Sequence, residues 1–154
     1  MSRTAVLIII VASMFPATSA VSQEKKIDRS ELPPAVEAAV AAQSQGATVR
    51  GFSEEKEKGQ TYYEAELMVG GHSKDVLMDA QGNIVEIEEQ VAIESLPAGV
   101  REGLQTKAGK GKLMKVESIT KHGKLVAYEA RVIRNGRKSE IQVGPDGKAL
   151  AHEE

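Results

Sequence analysis

The sequence contains no cysteine and no tryptophan, and its aromatic residues are three Tyr and two Phe. Without cysteine the chain can form neither a disulfide scaffold nor a zinc-thiolate site. So few aromatic side chains do not readily build the stacking platforms on which single-stranded nucleic acids and sugars bind. We therefore do not expect nucleic acid as a partner.

The sequence also lacks the motifs of common catalytic sites. It has no Gly-x-Ser-x-Gly, no His-Glu-x-x-His and no phosphate-binding loop. Glu64 and Glu129 occupy equivalent positions on two predicted strands, where a pair of carboxylates could act as acid and base. The strand pattern places both on a polar face, where solvated carboxylates are usual. We predict no catalytic residues, no cofactor and a protein that is not an enzyme.

The composition is that of a folded protein. Of the 154 residues, 41% are hydrophobic and 27% are charged, which argues against wholesale disorder and against a polytopic membrane protein. The length corresponds to one compact domain or two very small ones.

Residues 1–20 read as a secretory signal peptide. Arg3 is followed by an apolar run from Ala5 to Ala12 and then by small residues that end at Ala20. The run is shorter than the roughly 20 residues needed to cross a bilayer, so an uncleaved anchor is the less favoured alternative. We predict a periplasmic or secreted protein without stable membrane insertion after cleavage, in which residues 21–30 form a linker.

The rest of the chain reads as a tandem duplication. A shift of 64 to 65 residues aligns the segment 32–40 with 96–104 and places Tyr63-Glu64-Ala65 on Tyr128-Glu129-Ala130. Matches in one order over most of two units indicate an internal repeat. We place the first module at residues 31–92 and the second at 93–151.

Each module begins with a helical pattern and continues with strands. Leu32, Val36 and Val40 form an i, i+4, i+8 stripe, which the copy repeats with Leu96, Val100 and Leu104. The period then changes to two, as in half-buried antiparallel strands, and Gly70-Gly71 and Asn135-Gly136 predict hairpin turns. The predicted fold class is α+β, with tandem duplicated α-β-β-β(-β) modules, each a short helix packed on one face of an antiparallel sheet. Tyr63 and Tyr128 are predicted to pack beneath the helices. A last strand, Ile84 to Val91, is predicted to point Glu86 and Glu88 outward, and its copy in the second module is expected to survive only as Ala149-Leu150.

Several short motifs suggest a family. These are the Leu-Pro-x-Ala-Val opening of the helix, Tyr-Glu-Ala-Glu at 63–66, Asp79-Ala-Gln-Gly-Asn-Ile-Val-Glu86 and the signal peptide. Together they resemble the PepSY-like family, also described as β-lactamase-inhibitor-like, over residues 31–150. The resemblance implies exported, non-catalytic modules that bind or restrain other proteins, such as peptidases or envelope hydrolases. Because this chain has no cysteine and almost no exposed aromatic residue, β-lactamase itself is a doubtful target.

The histidines do not predict a metal site. His72 and His122 fall in predicted turns and His152 lies near the end of the sequence, and no ligand spacing joins them. We predict no metal site from these residues. A periplasmic small-ligand or metal-binding protein, with its site between the two modules, is the alternative function.

The two halves differ in charge. Residues 21–92 contain 7 basic and 14 acidic residues, a net of −7, whereas residues 93–154 contain 12 and 8, a net of +4. Opposite charges could steer a bipolar protein partner or promote weak self-association, through forces that salt screens. We predict that the polar face of the sheet is the recognition surface and that its binding residues are Tyr62, Glu64, Glu66, Glu129 and Arg131. Tyr62 is the expected anchor, since interface aromatics carry much of the binding energy.

Overall fold

The computed structural model describes residues 23–154, in which eight strands form one antiparallel sheet in sequential order from β1 to β8. The strands are β1 (Gln23–Ile27), β2 (Thr48–Glu57), β3 (Gln60–Val69), β4 (His72–Asp79), β5 (Ile84–Val91), β6 (Lys112–Lys121), β7 (Lys124–Arg134) and β8 (Arg137–Val143). Two helices, α1 (Pro34–Gln43) and α2 (Ala98–Ala108), connect β1 to β2 and β5 to β6. The predicted α+β class is confirmed.

Both helices begin where the sequence predicts. Pro34 is the first residue of α1, and Pro97 immediately precedes α2, positions where the missing proline N–H costs no helical hydrogen bond. Helix α2 ends at Gly109, whose φ of 57° suits a glycine after the last turn. Each helix therefore spans about three turns and exposes one apolar stripe to the sheet.

The helices cover the same side of the sheet. Val76 in the core under α1 pairs across the strands with Ile87, and Val91 on that strand pairs with Val116 in the core under α2. Ile87 and Val91 are four residues apart and so point to one face. The opposite side of the sheet, which carries neither helix, is called the open face below.

Each helix has its own hydrophobic core. The core under α1 includes Val36, Val40, Leu67, Val76 and Met78, all almost completely buried. The core under α2 contains Val100, Leu104, Val116, Ala130 and Val143. Tyr63 and Tyr128 are partly buried against these two cores, as predicted.

The turns after β4 and β8 are in close contact with the backbone of the helices. A Cβ atom added to Gly82 would lie 2.4 Å from the carbonyl oxygen of Ala35, and one added to Gly147 would lie 2.0 Å from that of Gly99. Both glycines also have positive φ values, 78° and 81°. No other residue fits these contacts without displacement of the backbone. The predicted hairpin at Asn135-Gly136 has positive φ at both residues and is confirmed.

The structure corrects two expectations about the ends of the modules. Residues 21–30, interpreted as a linker, contain strand β1 and a 3₁₀ turn at Arg29–Glu31, because Ile27 pairs with Phe52 and packs against the first core. Ala149 and Leu150, the predicted remnant of a last strand, form no strand. The signal peptide prediction concerns residues 1–20, which lie outside the described residues.

The sheet does not divide between the predicted modules. Strand β5 pairs with β6 over six residue pairs, from Glu86↔Lys121 to Val91↔Val116. The two helix-capped regions therefore share one continuous hydrogen-bonded sheet.

Candidate recognition surface

The open face brings the polar side chains of seven neighbouring strands to one side. Glu64 pairs with Ser53 on β2 and with Leu77 on β4, and Leu77 pairs with Glu86, which pairs with Lys121. Further along the sheet, Glu129 pairs with Glu117 and with Gln142. Residues that are directly opposite in a ladder share a face, so this row crosses the whole open face.

An acidic groove of about 500 Å³ runs along the first half of the open face. Its floor contains Leu77, and Lys58 and Lys121 are its two basic residues. The acidic residues that line it are Glu55, Glu57, Glu64, Asp75, Glu86, Glu88, Glu153 and Glu154. Eight carboxylates against two ammonium groups give the groove a strongly negative character, which a cationic surface would complement.

Three carboxylates converge where β4, β5 and β6 meet. Oxygen atoms of Asp75, Glu88 and Glu117 all lie within 4.8 Å of one another. Burial raises the pKa of Glu88 to about 8, and the charges of Glu117, Glu86 and Glu129 add to this effect. Burial also raises the pKa of Asp75 to about 6, assisted by Glu64 and Glu117 and opposed by Lys115. Glu88 is therefore mostly protonated at neutral pH.

The cluster has cationic and hydroxyl neighbours on one side. The Glu117 carboxylate forms an ion pair with Lys115 and accepts a hydrogen bond from the Ser73 hydroxyl at 3.2 Å. Oxygen ligands in such an arrangement are of the type that hard cations prefer. A second group, Glu24, Glu64 and Glu66, has similar spacing, and within residues 23–154 no histidine joins either group.

The predicted binding residues Glu64 and Glu66 lie on β3, and Glu64 lines the groove. The Glu64 carboxylate accepts a hydrogen bond from the Ser53 hydroxyl at 2.8 Å, yet burial is the larger effect and raises its pKa. Glu66 forms an ion pair with Lys26 of β1. Strand β1, which the sequence did not predict, therefore supplies a partner for a predicted site residue.

Glu129 and Arg131 occupy the other end of the open face, on β7. Burial raises the pKa of Glu129, although the Gln142 amide donates a hydrogen bond to its carboxylate at 2.8 Å. Arg131 donates to Glu140 at 3.1 Å, and this hydrogen bond raises the pKa of the guanidinium. Strands β3 and β7 are four inter-strand spacings apart, about 19 Å. The predicted residues therefore share the open face but form two separate patches.

Tyr62 lies beside the acidic groove, since it pairs with Glu55, but it does not line the groove itself. It pairs with Asp79, and its hydroxyl donates a hydrogen bond to the side chain of Gln60 at 2.6 Å. A shallow depression of about 300 Å³ surrounds it, lined also by Thr61, Ala80 and Gln81. The predicted anchor is thus partly exposed at the end of the sheet where β2 turns into β3.

Sequence reasoning missed the residues at the junction of the two halves. Glu88 was expected to point outward. Its neighbour Glu117 on β6 was not predicted, because nothing in the sequence indicated that β5 pairs with β6. The alternation of β5, with Glu86 and Glu88 on the side opposite Ile87, was the available signal.

No helix within residues 23–154 is both long enough and apolar enough to cross a membrane. The three histidines are dispersed: His72 begins β4, His122 lies in the turn after β6 with a φ of 48°, and His152 follows the last strand.

The fold is shared with solved structures of low sequence identity. A candidate periplasmic protein from Bacteroides eggerthii matches with a TM-score of 0.63 and 19% identity over 77% of this chain and 86% of that chain. A DUF2874 family protein from Bacteroides ovatus matches with a TM-score of 0.59 and 17% identity over 77% and 84%. A BLIP-like protein from Bacteroides fragilis matches with a TM-score of 0.57 and 21% identity over 77% and 83%. No family model matches the chain, and no curated protein matches it.

These similarities establish a BLIP-like fold for the chain. The predicted periplasmic or secreted localisation agrees with the description of the Bacteroides eggerthii neighbour.

Proposed function

We propose that this protein is an exported, non-catalytic binding module that recognises or restrains another cell-envelope or secreted protein, of the peptidase or envelope-hydrolase class. One observation carries the proposal. Both helices cover one side of an eight-stranded sheet, and the other side presents a broad polar surface with a groove of about 500 Å³. The resemblance to a BLIP-like protein supports protein recognition by such a fold.

The same proposal includes two tandem PepSY-like modules. In each half a helix lies on three strands, and the glycine turn after the third of these strands contacts the first turn of that helix, through Gly82 in one half and Gly147 in the other. Two modules fused through one sheet would present a single recognition surface, whereas two modules on a flexible linker would present two.

The proposed contacts are Tyr62 with Glu64 and Glu66 in the first half and Glu129 with Arg131 in the second. Two charged patches about 19 Å apart suit a partner that carries complementary charges at the same spacing. Tyr62 supplies an aromatic contact beside the first patch, and its partly exposed ring can bury apolar area against a partner.

Affinity capture from an envelope extract tests the proposal. The chain from Val21 onward serves as bait, with mass spectrometry of the retained proteins. Two charge-reversal baits provide the control: Glu64→Lys on the open face and Glu102→Lys on the exposed side of α2. A genuine partner is retained by the wild type and the Glu102→Lys bait and lost from the Glu64→Lys bait. A protein retained equally by all three baits does not bind the open face.

Export is tested separately. Amino-terminal sequencing of the exported form should show that residues 1–20 have been removed. An exported form that still begins with Met1 would contradict the proposed signal peptide.

The alternative function, a small-ligand or metal site between the modules, is favoured by the position of the carboxylate cluster at the junction of β4, β5 and β6. Titration of the wild type and of Glu88→Gln with Ca²⁺, followed by calorimetry, separates the two functions. Stoichiometric binding that Glu88→Gln abolishes would support the alternative.

A further inference from the structure

The segment after β8 returns across the open face. The chain turns at residues 144–148, where the Gly144 N–H donates to the Lys148 carbonyl at 2.8 Å. Leu150 then packs at the edge of the sheet, with its Cδ2 atom 3.4 Å from the position that a Cβ on Gly144 would take. Glu153 and Glu154 reach the border of the acidic groove. Residues 151–154 are called the tail below.

One buried side chain holds the main chain of the tail. Gln142 is 6% exposed, and its carboxamide oxygen accepts a hydrogen bond from the Glu154 N–H at 2.8 Å. Its amide nitrogen donates to the main-chain oxygen of Glu154 at 3.4 Å and to Glu129 at 2.8 Å. The carboxamide thus pairs with both the donor and the acceptor of one residue, as a neighbouring strand would.

The surroundings of Gln142 complete a small site. The Lys121 ammonium lies 3.5 Å from the Glu154 carboxylate and 3.6 Å from that of Glu86, so it bridges the tail and β5. Ile119 and Ala127 lie on the same face, are 1% and 0% exposed, and belong to neither core beneath the helices. The tail therefore lies beside a buried amide, a lysine and a small apolar area.

We propose that Gln142 and Lys121 form a binding site for an extended acidic peptide segment of a partner, and that the tail occupies this site in the unbound protein. The main-chain pairing with Gln142 is independent of sequence, and Lys121 selects an acidic side chain. The site lies on the recognition surface of the proposed function and rests on it, but it can be tested without the partner. A partner that binds there must first displace the tail.

The first measurement follows the tail in the intact chain. Heteronuclear NOE values of the amides of residues 152–154 should approach those of the sheet in the wild type. They should fall to the values of a free chain end in Gln142→Leu, which keeps a similar volume and removes all three hydrogen bonds. Ser139→Ala, an exposed change on the same strand, is the matched control and should leave the values unchanged. Wild-type amides as mobile as those of Gln142→Leu would overturn the proposal.

The second measurement adds the segment in trans. The probe is the capped peptide acetyl-Ala-His-Glu-Glu-amide, titrated to about 10 mM, which covers the effective concentrations typical of tethered segments. A chain that ends at Leu150, with its fold checked from its amide spectrum, should show saturating shifts of the Gln142 side-chain amide. The intact chain should bind the peptide at least about 10-fold more weakly, because the tail competes.

A control peptide tests the role of Lys121. Replacement of the last Glu by Lys should abolish the shifts, and Lys121→Glu in the shortened chain should restore binding of this second peptide. If the folded shortened chain shows no shifts with the acidic peptide, or binds both peptides equally, the proposed site is wrong. Neither result would depend on whether a protein partner had been found.

Discussion

The two halves of the open face differ in what covers them. Over β2–β5 the face is a groove lined mainly by carboxylates and bordered by the tail, whereas over β6–β8 the polar side chains pair with one another and with the tail. The two halves nevertheless share one helix-on-sheet arrangement beneath. The two halves are therefore alike on the helix side of the sheet and differ in charge and accessibility on the open face.

The largest expected effect concerns the cores, where the halves are alike. Leu104 is fully buried, so Leu104→Ala should lower the free energy of unfolding by about 2–5 kcal/mol. Val40→Ala at the equivalent position should cost less, because it removes fewer buried carbon atoms. Denaturant unfolding followed by circular dichroism measures both. Because β5 and β6 join the halves, each variant should unfold in one transition; a biphasic curve would show that the halves are independent.

The second prediction compares glycines at the helix contacts with a glycine in an open turn. Gly82→Ala and Gly147→Ala should each destabilise the protein more than Gly59→Ala. All three residues have positive φ, which costs an alanine roughly 1–2 kcal/mol, but an added Cβ at Gly59 meets nothing within 4 Å. Thermal unfolding midpoints give the comparison. If the unfolding midpoint falls equally in all three variants, the turns are not in close contact with the helices.

The third prediction uses the pKa values of Glu88 and Asp75, which lie on the boundary between the halves. In the unfolded chain these carboxyls titrate near pH 4, whereas in the folded protein their pKa values are about 8 and about 6. The folded state binds more protons between these limits, so the free energy of unfolding should fall as the pH rises from about 4 to 8 and then level off.

This pH effect should lower the unfolding midpoint between pH 5 and pH 8.5. Glu88→Gln removes the most strongly shifted carboxyl and should flatten the profile, whereas Glu102→Gln on the other side of the molecule should not. An unchanged profile in Glu88→Gln would show that this carboxyl is not perturbed.

The smallest expected effect on stability is that of Tyr62→Ala, which should change the free energy of unfolding by less than about 0.5 kcal/mol. The corresponding residue of the second half by sequence is Ala127, so the fold does not require an aromatic ring there. The same variant should bind a captured partner more weakly, and binding by the wild type should weaken between about 0.05 and 0.5 M salt. Early unfolding of Tyr62→Ala, or binding that ignores salt, would remove Tyr62 from the proposed surface.

Weak self-association is a further prediction from the same charge difference between the halves. Any contact between the acidic groove of one molecule and the basic second half of another should be weak and should disappear at about 0.5 M salt. Sedimentation velocity at two salt concentrations measures this. Self-association that persists at high salt would require an apolar contact instead.

The sequence was most informative where the pattern was local. The 3.6-residue stripe of Val36 and Val40 and the Gly70-Gly71 turn depend only on nearby residues, and the structure confirms both. Strand β1 was missed because Gln23–Ile27 is short and mostly polar, and its position is set by the distant strand β2.

The candidate site was predictable in part. The alternation on β3 correctly placed Glu64 and Glu66 on the polar face. The approach of Glu88 to Glu117 could not be predicted, because it depends on pairing across a connection that contains an entire helix. The tail was also missed, since its position depends on the side chain of Gln142 and not on any pattern within the tail.

The sequential order of the strands has a consequence for folding. Every strand pairs with its neighbour in the chain, and five of the seven pairings are closed by tight turns. The other two pairings, β1 with β2 and β5 with β6, form only when a loop that contains a helix closes. Closing such a long loop costs more entropy than closing a tight turn. Hairpins can therefore form early and independently, and the β5–β6 pairing becomes the step that unites them. The residues that line the junction, Glu88 and Glu117 among them, would then come together only in that step.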